Sequence, residues 1–341
     1  MISKKRYLVT GGTGFIGSSL VRRLVHEGAR VRVVDNDLRG RQTRLADIAK
    51  AIELVNCDVR DASALTAAAR GCDSILHLAA LNGTENFYQR PELVLDVGIQ
   101  GMHAALAAAK ANGIKEFVLA SSSEAYQTPQ IVPTPEDVPL TVPDPWNPRY
   151  SYGGSKIASE IMLANYNREL FERAMIFRPH NVYGPDMGWE HVIPQFAVRA
   201  ATVCAAQTAG EVDFPIQGDG SQTRSFVFID DFIDALMLIL QQGEHRQIYH
   251  IGTSDEVTMR HVAELVAAQF GRKIRIVVGD AQAGGTNRRC PDISRLAGLG
   301  YAPKTKLEEG VARTVEWYRA NMAAAPPDVR AQSEAKRQKS L

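Results

Sequence analysis

The first half of the chain alternates short apolar runs with amphipathic segments. The apolar runs predict strands at 7–10, 30–35, 52–58, 74–80, 116–122 and 174–179. Apolar positions spaced three and four apart predict helices at 15–27, 62–69, 94–112 and 152–169. Strands that alternate with helices are typical of a parallel, doubly wound sheet. We therefore expect the α/β class, with a Rossmann-type doubly wound parallel sheet and a smaller C-terminal lobe.

The alternation is lost beyond residue 184. Helices are predicted at 192–203, 230–242, 258–270 and 307–320, with a strand at 273–278. After Val329 no large apolar residue follows until the last position, which predicts a disordered tail over 323–341. The predicted organisation is a Rossmann-type domain over 1–183, to which strand and helix from the later chain return, and a smaller lobe over 184–322.

Composition narrows the class of partner. The 341 residues carry 39 Lys and Arg against 38 Asp and Glu, a net charge of +1, which does not favour nucleic acid or an anionic membrane as partner. No apolar run reaches the ~18 residues that a membrane span needs. The four cysteines form no CxxC pair, the histidines show no metal-binding spacing, and no signal peptide is evident. These features predict a cytoplasmic protein without a metal site.

A glycine-rich turn follows the first predicted strand directly. In TGGTGFIG (10–17), Gly11, Gly14 and Gly17 stand between that strand and an amphipathic helix. Glycine permits the tight turn and lets backbone N–H groups at the helix start approach a pyrophosphate. Because a strand precedes the turn and a helix follows it, the motif predicts a dinucleotide site.

The ends of the next two strands carry acids. Asp35 can accept a hydrogen bond from a ribose 2′-hydroxyl and would repel a 2′-phosphate, which favours NAD over NADP. Arg39 and Arg41 nearby leave NADP open. Asp58, before Val59, is a candidate for the adenine amino group, and the alternative is that it caps the following helix.

A phenol and an ammonium lie one helical turn apart. Tyr152 and Lys156 share a helix face, and Ser122 ends a strand at the same edge of the sheet. A lysine and a positive nicotinamide would lower the tyrosine pKa enough for it to act as a base. The same spacing occurs in ordinary amphipathic helices, so the residues alone leave both interpretations open.

Several motifs in order resemble one family. TGGTGFIG, Asp35, HLAA (77–80), SSSEAY (121–126), SYGGSK (151–156), RPHNVYGP (178–185) and GDGSQTRSFVFIDD (218–231) are similar to the extended short-chain dehydrogenases/reductases, and more narrowly to the NAD-dependent nucleotide-sugar epimerases and dehydratases. The resemblance covers about residues 5–320. It implies that the domain over 1–183 binds NAD and that the C-terminal lobe over 184–322 is the substrate-binding lobe, which takes the nucleotide sugar.

The resemblance implies a mechanism and a set of contacts. The sugar is oxidised at C4 by tightly held NAD, the 4-keto sugar is altered, and the hydride returns. Tyr152 is then the base, Lys156 holds the nicotinamide ribose, and Ser122 lies beside C4. The implied site residues also include Phe15, Ile16, Val59, Leu78, Ala79, Ala80 and Ser121 for NAD and Ser123 and Glu124 for the sugar.

The later chain is expected to bind the nucleotide part of the substrate. By resemblance Asn181 contacts the substrate, and Arg224 together with Arg288 or Arg289 pairs with the diphosphate, for which the guanidinium fork is suited. Each arginine is alternatively a solvated surface charge. The family also implies a homodimer formed through a four-helix bundle of the helices at 94–112 and 152–169.

Two positions depart from the family pattern. Gly98 stands where the family usually has Asn, and Gln127 follows Tyr126 where Gly is usual. The loop over the sugar is therefore expected to differ, which affects the assignment of the substrate more than that of the class.

Glu124 leaves the reaction open. In 4,6-dehydratases and UDP-glucuronate decarboxylases a glutamate at this place follows Thr-Asp or Thr-Ser, and in dehydratases it removes the C5 proton. Simple 4-epimerases need no such base. Ser122 matches many 4-epimerases, so 4-epimerisation is the first choice and dehydration or decarboxylation the alternative. A ketone or aldehyde reductase and a non-catalytic dinucleotide-binding protein are remoter alternatives, which Asp35 and the Tyr152–Lys156 pair respectively disfavour.

Overall fold

The computed structural model describes residues 1–166, 168–206, 210–280 and 286–338. Its strands are β1 (Arg6–Thr10), β2 (Arg30–Asp35), β3 (Ile52–Asn56), β4 (Ser74–His77), β5 (Glu116–Ala120), β6 (Arg173–Pro179), β7 (Val182–Tyr183), β8 (Val212–Gln217), β9 (Thr223–Ser225), β10 (Val227–Phe228), β11 (Ile248–Ile251), β12 (Glu256–Thr258), β13 (Ile274–Gly279) and β14 (Arg288–Arg289).

Helices cover both faces of the main sheet and build most of the later chain. They are α1 (Phe15–His26), α2 (Ala62–Ala68), α3 (Thr84–Gln89), α4 (Pro91–Leu95), α5 (Gly101–Ala111), α6 (Ser151–Asn165), α7 (Val192–Ala206), α8 (Ile229–Gln242), α9 (Met259–Ala268), α10 (Ser294–Ala297), α11 (Leu307–Ala320) and α12 (Pro327–Gln338). The helix predicted over 94–112 consists of α4, a π-helical turn over Asp96–Gln100, and α5.

The main sheet has seven parallel strands in the order β11-β6-β5-β4-β1-β2-β3. This confirms the Rossmann-type expectation. The strand order reverses between β1 and β4, and a crevice forms at such a switch point beyond the carboxyl ends of the strands. Because β11 pairs with β6, the later chain returns to this sheet. The boundary between residues 183 and 184 remains a prediction.

Both faces of the sheet are apolar because helices cover both. On β1, Tyr7 and Val9 belong to one hydrophobic cluster and Leu8 to the other, and all three are at most 1% exposed. The smaller lobe contains the β8–β13 pair, the three strands β12-β9-β14, and helices α7, α9 and α11. Among the described residues, no helix combines the length and the apolar character needed to cross a membrane.

The C-terminal segment differs from the sequence-based expectation. The composition predicts disorder over 323–341, but Pro327–Gln338 forms helix α12. Val329 is 5% exposed and packs with Ala325 against Val198 of α7. The expectation is wrong for this segment because a few small apolar side chains are enough to hold a polar helix on an existing helical surface. Residues 339–341 lie outside the described residues.

Candidate active site

A cleft of about 400 Å³ runs along the carboxyl ends of the main-sheet strands and is bordered on its far side by the later chain. Of the residues that the sequence predicts for the site, those that line it are Gly11, Gly14, Phe15, Ile16, Gly17, Asp35, Asp58, Val59, Leu78, Ala79, Ala80, Ser121, Ser122, Ser123, Glu124, Tyr152, Lys156, Asn181 and Arg289. Arg224 and Arg288 are not among the described lining residues.

Backbone geometry builds one end of the cleft. Gly11 has φ +71°, and a Cβ there would lie 2.9 Å from the Cα of Ala79. A Cβ at Gly17 would collide with the carbonyl oxygen of Gly11. Gly14 caps helix α1 without any side-chain hydrogen bond, so the first N–H groups of the helix have no side-chain cap. This bare helix start, reached through a shell of glycine backbone, suits a pyrophosphate.

Asp35 borders the same end of the cleft. Its carboxylate accepts hydrogen bonds from the backbone N–H groups of Thr13 (3.0 Å) and Asp37 (2.9 Å), which fix its orientation beside the glycine turn. Arg39 and Arg41, whose charges would suit the 2′-phosphate of NADP, are each paired with an acid from the later chain. Arg39 donates to Glu190 at 2.5 Å, and Arg41 is bonded to Asp186. The positive charge near Asp35 is therefore compensated within the protein.

Asp58 is oriented by neighbours rather than by a helix end. It accepts hydrogen bonds from Asn36 (3.2 Å) and Arg60 (2.7 Å), and the bond from Arg60 is the main cause of its lowered pKa. The cap of α2 is Asp61, whose side chain accepts from two backbone N–H groups. Asp58 thus borders the cleft and does not cap α2, whereas its contact with adenine remains a prediction.

Tyr152, Lys156 and Ser122 meet in the middle of the cleft. Tyr152 stacks on Phe87 of α3, with ring centroids 5.1 Å apart. Lys156 Nζ donates to the carbonyl of Ala120 at 2.7 Å and lies 5.6 Å from the centre of the tyrosine ring. Helix α6 therefore presents a phenol and an ammonium on one face, opposite the end of β5.

The two groups are perturbed by burial. Burial raises the pKa of Tyr152 to about 12, although a hydrogen bond from Ser122 lowers it. Burial also lowers the pKa of Lys156 to about 8, against the attraction of Glu160. The sequence predicts that Lys156 and a positive nicotinamide together lower the pKa of Tyr152; within the protein itself desolvation is the largest effect, and it raises that pKa. A further positive charge in the cleft is needed before Tyr152 becomes an effective base.

Glu124 lies inside the cleft and is not an ordinary surface charge. One carboxylate oxygen accepts a hydrogen bond from Arg289 at 2.7 Å, and the other lies 3.8 Å from Arg149. Burial would raise the pKa of Glu124, but Arg289 and then Arg149 outweigh it, so its pKa is below the ordinary value. The carboxylate is therefore ionised at neutral pH. Its neighbour Ser123 is buried.

The two candidate arginines of β14 point to different environments. Arg289 is 7% exposed and lines the cleft. Arg288 is exposed and paired with Glu256 at 2.8 Å. Arg224, on the neighbouring β9, donates to the carbonyl groups of Thr223 and Thr286. Burial, followed by repulsion from Arg289, lowers the pKa of Arg224 to about 10.

Asn181 reaches the cleft from the turn between β6 and β7. It has φ +37°, and its side chain donates to the carbonyl of Ser225 at 2.8 Å. His191 also lines the cleft, where burial and then Arg39 lower its pKa to about 4, so the ring is neutral near pH 7.

Sequence reasoning missed Phe87 and Arg149. Phe87 stacks on Tyr152 from 65 positions earlier, and nothing in its local sequence signals that contact. Arg149 stands three residues before Tyr152, so its position in the chain was a usable signal.

The family comparison agrees with this geometry. Residues 7–252 match the model of the NAD-dependent epimerase/dehydratase family. The chain belongs to that family. This confirms the resemblance seen in the motifs, the enzymatic character of the protein and NAD as its cofactor.

Individual relatives of this family member differ in their reactions. A UDP-glucose 4-epimerase of Mycolicibacterium smegmatis is 32% identical, with 92% of this chain and 98% of the relative covered. A dTDP-4-dehydro-6-deoxy-D-allose reductase of a Streptomyces species is 33% identical, with 92% and 95% covered. The crystal structure of DesIV, a dTDP-glucose 4,6-dehydratase from Streptomyces venezuelae with NAD bound, has a TM-score of 0.82 and 31% identity, with 94% and 99% covered. Similarity alone therefore leaves the exact reaction undecided.

Proposed function

We propose that this enzyme inverts C4 of a nucleotide-linked hexose through a transient 4-keto sugar. The observation that carries the proposal is the state of Glu124. A dehydratase needs a base for the C5 proton and an acid for the leaving hydroxyl. Here the carboxylate is occupied by Arg289 at 2.7 Å, and its neighbour is the hydroxyl of Ser123. Epimerisation at C4 requires neither group.

Each central side chain has a defined task in this reaction. Tyr152 accepts the proton of the C4 hydroxyl, and Ser122 shares the hydrogen bond to that oxygen. NAD, when bound along the glycine turn, supplies a reversible hydride acceptor and a positive charge. Lys156 binds the nicotinamide ribose and, at a pKa of about 8, remains charged near pH 7. The phenol returns its proton after the keto sugar has turned its other face to the cofactor.

Arginines from both parts of the chain are assigned to the diphosphate. Arg149, Arg224 and Arg289 all act electrostatically on the single carboxylate of Glu124. Three guanidiniums facing one carboxylate leave a net positive site, which suits the charge of a nucleoside diphosphate. Asn181 also lines the cleft and is assigned to the substrate. We assign nucleotide-sugar binding to the lobe over 184–322, which contributes Arg224 and Arg289, together with Arg149 and Asn181 of the first domain.

The second candidate is 4,6-dehydration, or the related decarboxylation, with Glu124 as base. The observation that favours it is the placement of Glu124 within the cleft, close enough to Tyr152 for its charge to raise the tyrosine pKa. In that case the substrate must draw Arg289 away from the carboxylate before the C5 proton is removed.

A panel of nucleotide sugars tests the two candidates directly. The purified protein is incubated with each sugar in H₂O and in D₂O, and products are identified by mass and NMR. A 4-epimer keeps the mass of the substrate and gains no deuterium on carbon. A product that has lost water and carries solvent deuterium identifies the dehydratase, and loss of CO₂ identifies the decarboxylase. Either of those results would overturn the first choice.

We also propose a homodimer formed through α4–α5 and α6. The outer surface of these packed helices exposes large apolar side chains, which water does not favour. They are Leu95 (37% exposed), Ile99 (37%), Ile161 (58%) and Tyr166 (47%). Sedimentation equilibrium should give twice the chain mass of 37.3 kDa. Ile161→Glu should shift the distribution toward monomer, whereas a wild-type protein that is monomeric at micromolar concentration would contradict the proposal.

A further inference from the structure

Gln127 adopts a backbone conformation that glutamine rarely takes. Its φ is +54°, in the left-handed region where L side chains crowd the backbone and glycine does not. The side chain is nevertheless buried, with 3% exposed. A strained non-glycine residue persists only where its surroundings hold it, and such positions cluster at functional sites.

The amide group of Gln127 connects two parts of the cleft. Its Nε2 donates to the carbonyl oxygen of Glu124 at 2.5 Å, across the turn that carries the carboxylate. The same amide rests against Gly153 of α6, where a Cβ would come within 2.5 Å of Nε2. Gly153 directly follows Tyr152. The side chain of Gln127 therefore fills the space between the Glu124 turn and the start of the tyrosine helix.

The carbonyl of Gln127 makes a third connection. It accepts a hydrogen bond from the hydroxyl of Thr286 at 2.9 Å, and that hydroxyl in turn accepts from Arg289 at 3.2 Å. Arg289 also donates a hydrogen bond to the carboxylate of Glu124, so the contacts return to the turn from which they began. Gln127 thus contacts the turn that carries Glu124, the start of helix α6 beside Tyr152, and Thr286, which supports Arg289. These three segments come from widely separated parts of the chain.

We propose that Gln127 is a positioning residue that holds the Glu124–Arg289 pair in register with Tyr152. The proposal rests on the proposed function in that Tyr152 and Glu124 face one sugar in the cleft. A glycine here would satisfy the backbone without strain but would leave a gap between the turn and α6. The glutamine side chain removes that gap and fixes the distance between the two.

The variant Gln127→Gly tests this directly, because glycine adopts a φ of +54° freely and should not harm folding. We expect an unchanged or raised Tm, unchanged NAD content and a kcat reduced by at least about 10-fold, since the start of α6 loses its support and a shift of ~1 Å at the Tyr152 phenol can cost ~100-fold. The matched control is Gln130→Gly in the same loop, where the side chain is exposed, and its kcat should stay within about twofold of the wild type.

A double-mutant cycle gives the second readout. Gly153→Ala should lower kcat because the new methyl group displaces the Gln127 amide. Gly154→Ala, whose Cβ would meet only Val142 at 3.7 Å, is the control on the same helix. In the Gln127→Gly background, Gly153→Ala should cost less than it does alone, although its contact at 2.8 Å with the carbonyl of Glu124 remains.

Three results would overturn the proposal: a Gln127→Gly enzyme with normal kcat, a fall in Tm that accounts for the lost activity, or strictly multiplicative effects in the cycle. All rates are measured with whichever nucleotide sugar the wild type converts. A wild type that proves to be a dehydratase would refute 4-epimerisation and leave this test intact.

Discussion

The two ends of the cleft differ in the groups that line them. At the end lined by the glycine turn (10–17), here called the dinucleotide end, glycines and uncapped N–H groups of α1 form the surface, and these residues lie within one strand–turn–helix unit. The other end, which carries Glu124 and Arg289 and which we assign to the sugar, is here called the sugar end. Charged side chains form its surface, and Glu124 and Arg289 are 165 positions apart in sequence. The relatives of this chain differ in their reactions, whereas the family as a whole is NAD-dependent. The comparison indicates that the dinucleotide end determines the family and the sugar end determines the reaction.

The largest expected effect on kcat is at Tyr152, in the middle of the cleft. Tyr152→Phe should lower kcat by about 10²- to 10⁴-fold, because general base catalysis has that typical value. Substrate affinity and bound NAD should stay close to wild type, as measured by calorimetry and by dinucleotide released on denaturation. Tyr88→Phe, at an exposed tyrosine, is the control. Near-normal turnover by the Tyr152→Phe enzyme would refute the assigned role of the phenol.

The next effect tests the dinucleotide end. Gly17→Ala places a methyl group against the carbonyl of Gly11, and the turn must then shift. We expect NAD affinity to fall by about 100-fold, equivalent to about 2.7 kcal/mol, with product identity unchanged. Ser19→Ala on the same helix should retain NAD. If the Gly17 variant binds NAD normally but makes a different product, the division between the two ends is wrong.

Adjacent arginines provide a matched pair at the sugar end. Arg289→Gln should raise KM by about 10- to 100-fold, the range expected for a lost charge-assisted hydrogen bond to the diphosphate. Arg288→Gln should leave both kcat and KM within about twofold, because Arg288 is exposed and paired with Glu256. Equal effects of the two substitutions would show that the local sequence and not the cleft decides their roles.

A smaller effect is expected at Glu124 itself. If the enzyme is a 4-epimerase, Glu124→Gln should reduce kcat by less than about 10-fold, or roughly 1.4 kcal/mol of transition-state stabilisation. A loss of about 10²- to 10⁴-fold, together with solvent deuterium in the product, identifies Glu124 as a base instead.

Acidification should lower the free energy of unfolding by similar small amounts through two buried histidines, one near each end of the cleft. Burial lowers the pKa of His77, beneath the dinucleotide end, to about 3, and the pKa of His250, behind the sugar end, also to about 3. Because unfolded histidine binds a proton near pH ~6.5 and these two do not, the free energy of unfolding falls as pH falls below that value. Each histidine should lower the free energy of unfolding by about 0.7 kcal/mol between about pH 7 and 6, as measured from urea midpoints. Stability that rises on acidification would contradict their neutral state.

Most of the fold follows from local pattern. The first six strands of the main sheet and helix α1 lie within a few residues of their predicted ranges, since a buried parallel strand and an amphipathic helix each leave a periodic signature. The prediction for the tail is wrong because α12 has few apolar residues to signal it and is held by packing against α7, where Val329 and Ala325 meet Val198. The π-helical turn at Asp96–Gln100 carries no such signature either.

Local sequence is enough to specify the dinucleotide end and the Tyr152–Lys156 pair. Their geometry depends on backbone conformation and helix periodicity over short stretches, and both are local properties. Tertiary packing was needed to establish that Arg289 and not Arg288 faces Glu124, that burial raises the tyrosine pKa, and that Gln127 joins the carboxylate turn to α6. Those outcomes depend on which distant segments pack together and how far they exclude water, and no single stretch of sequence contains that information.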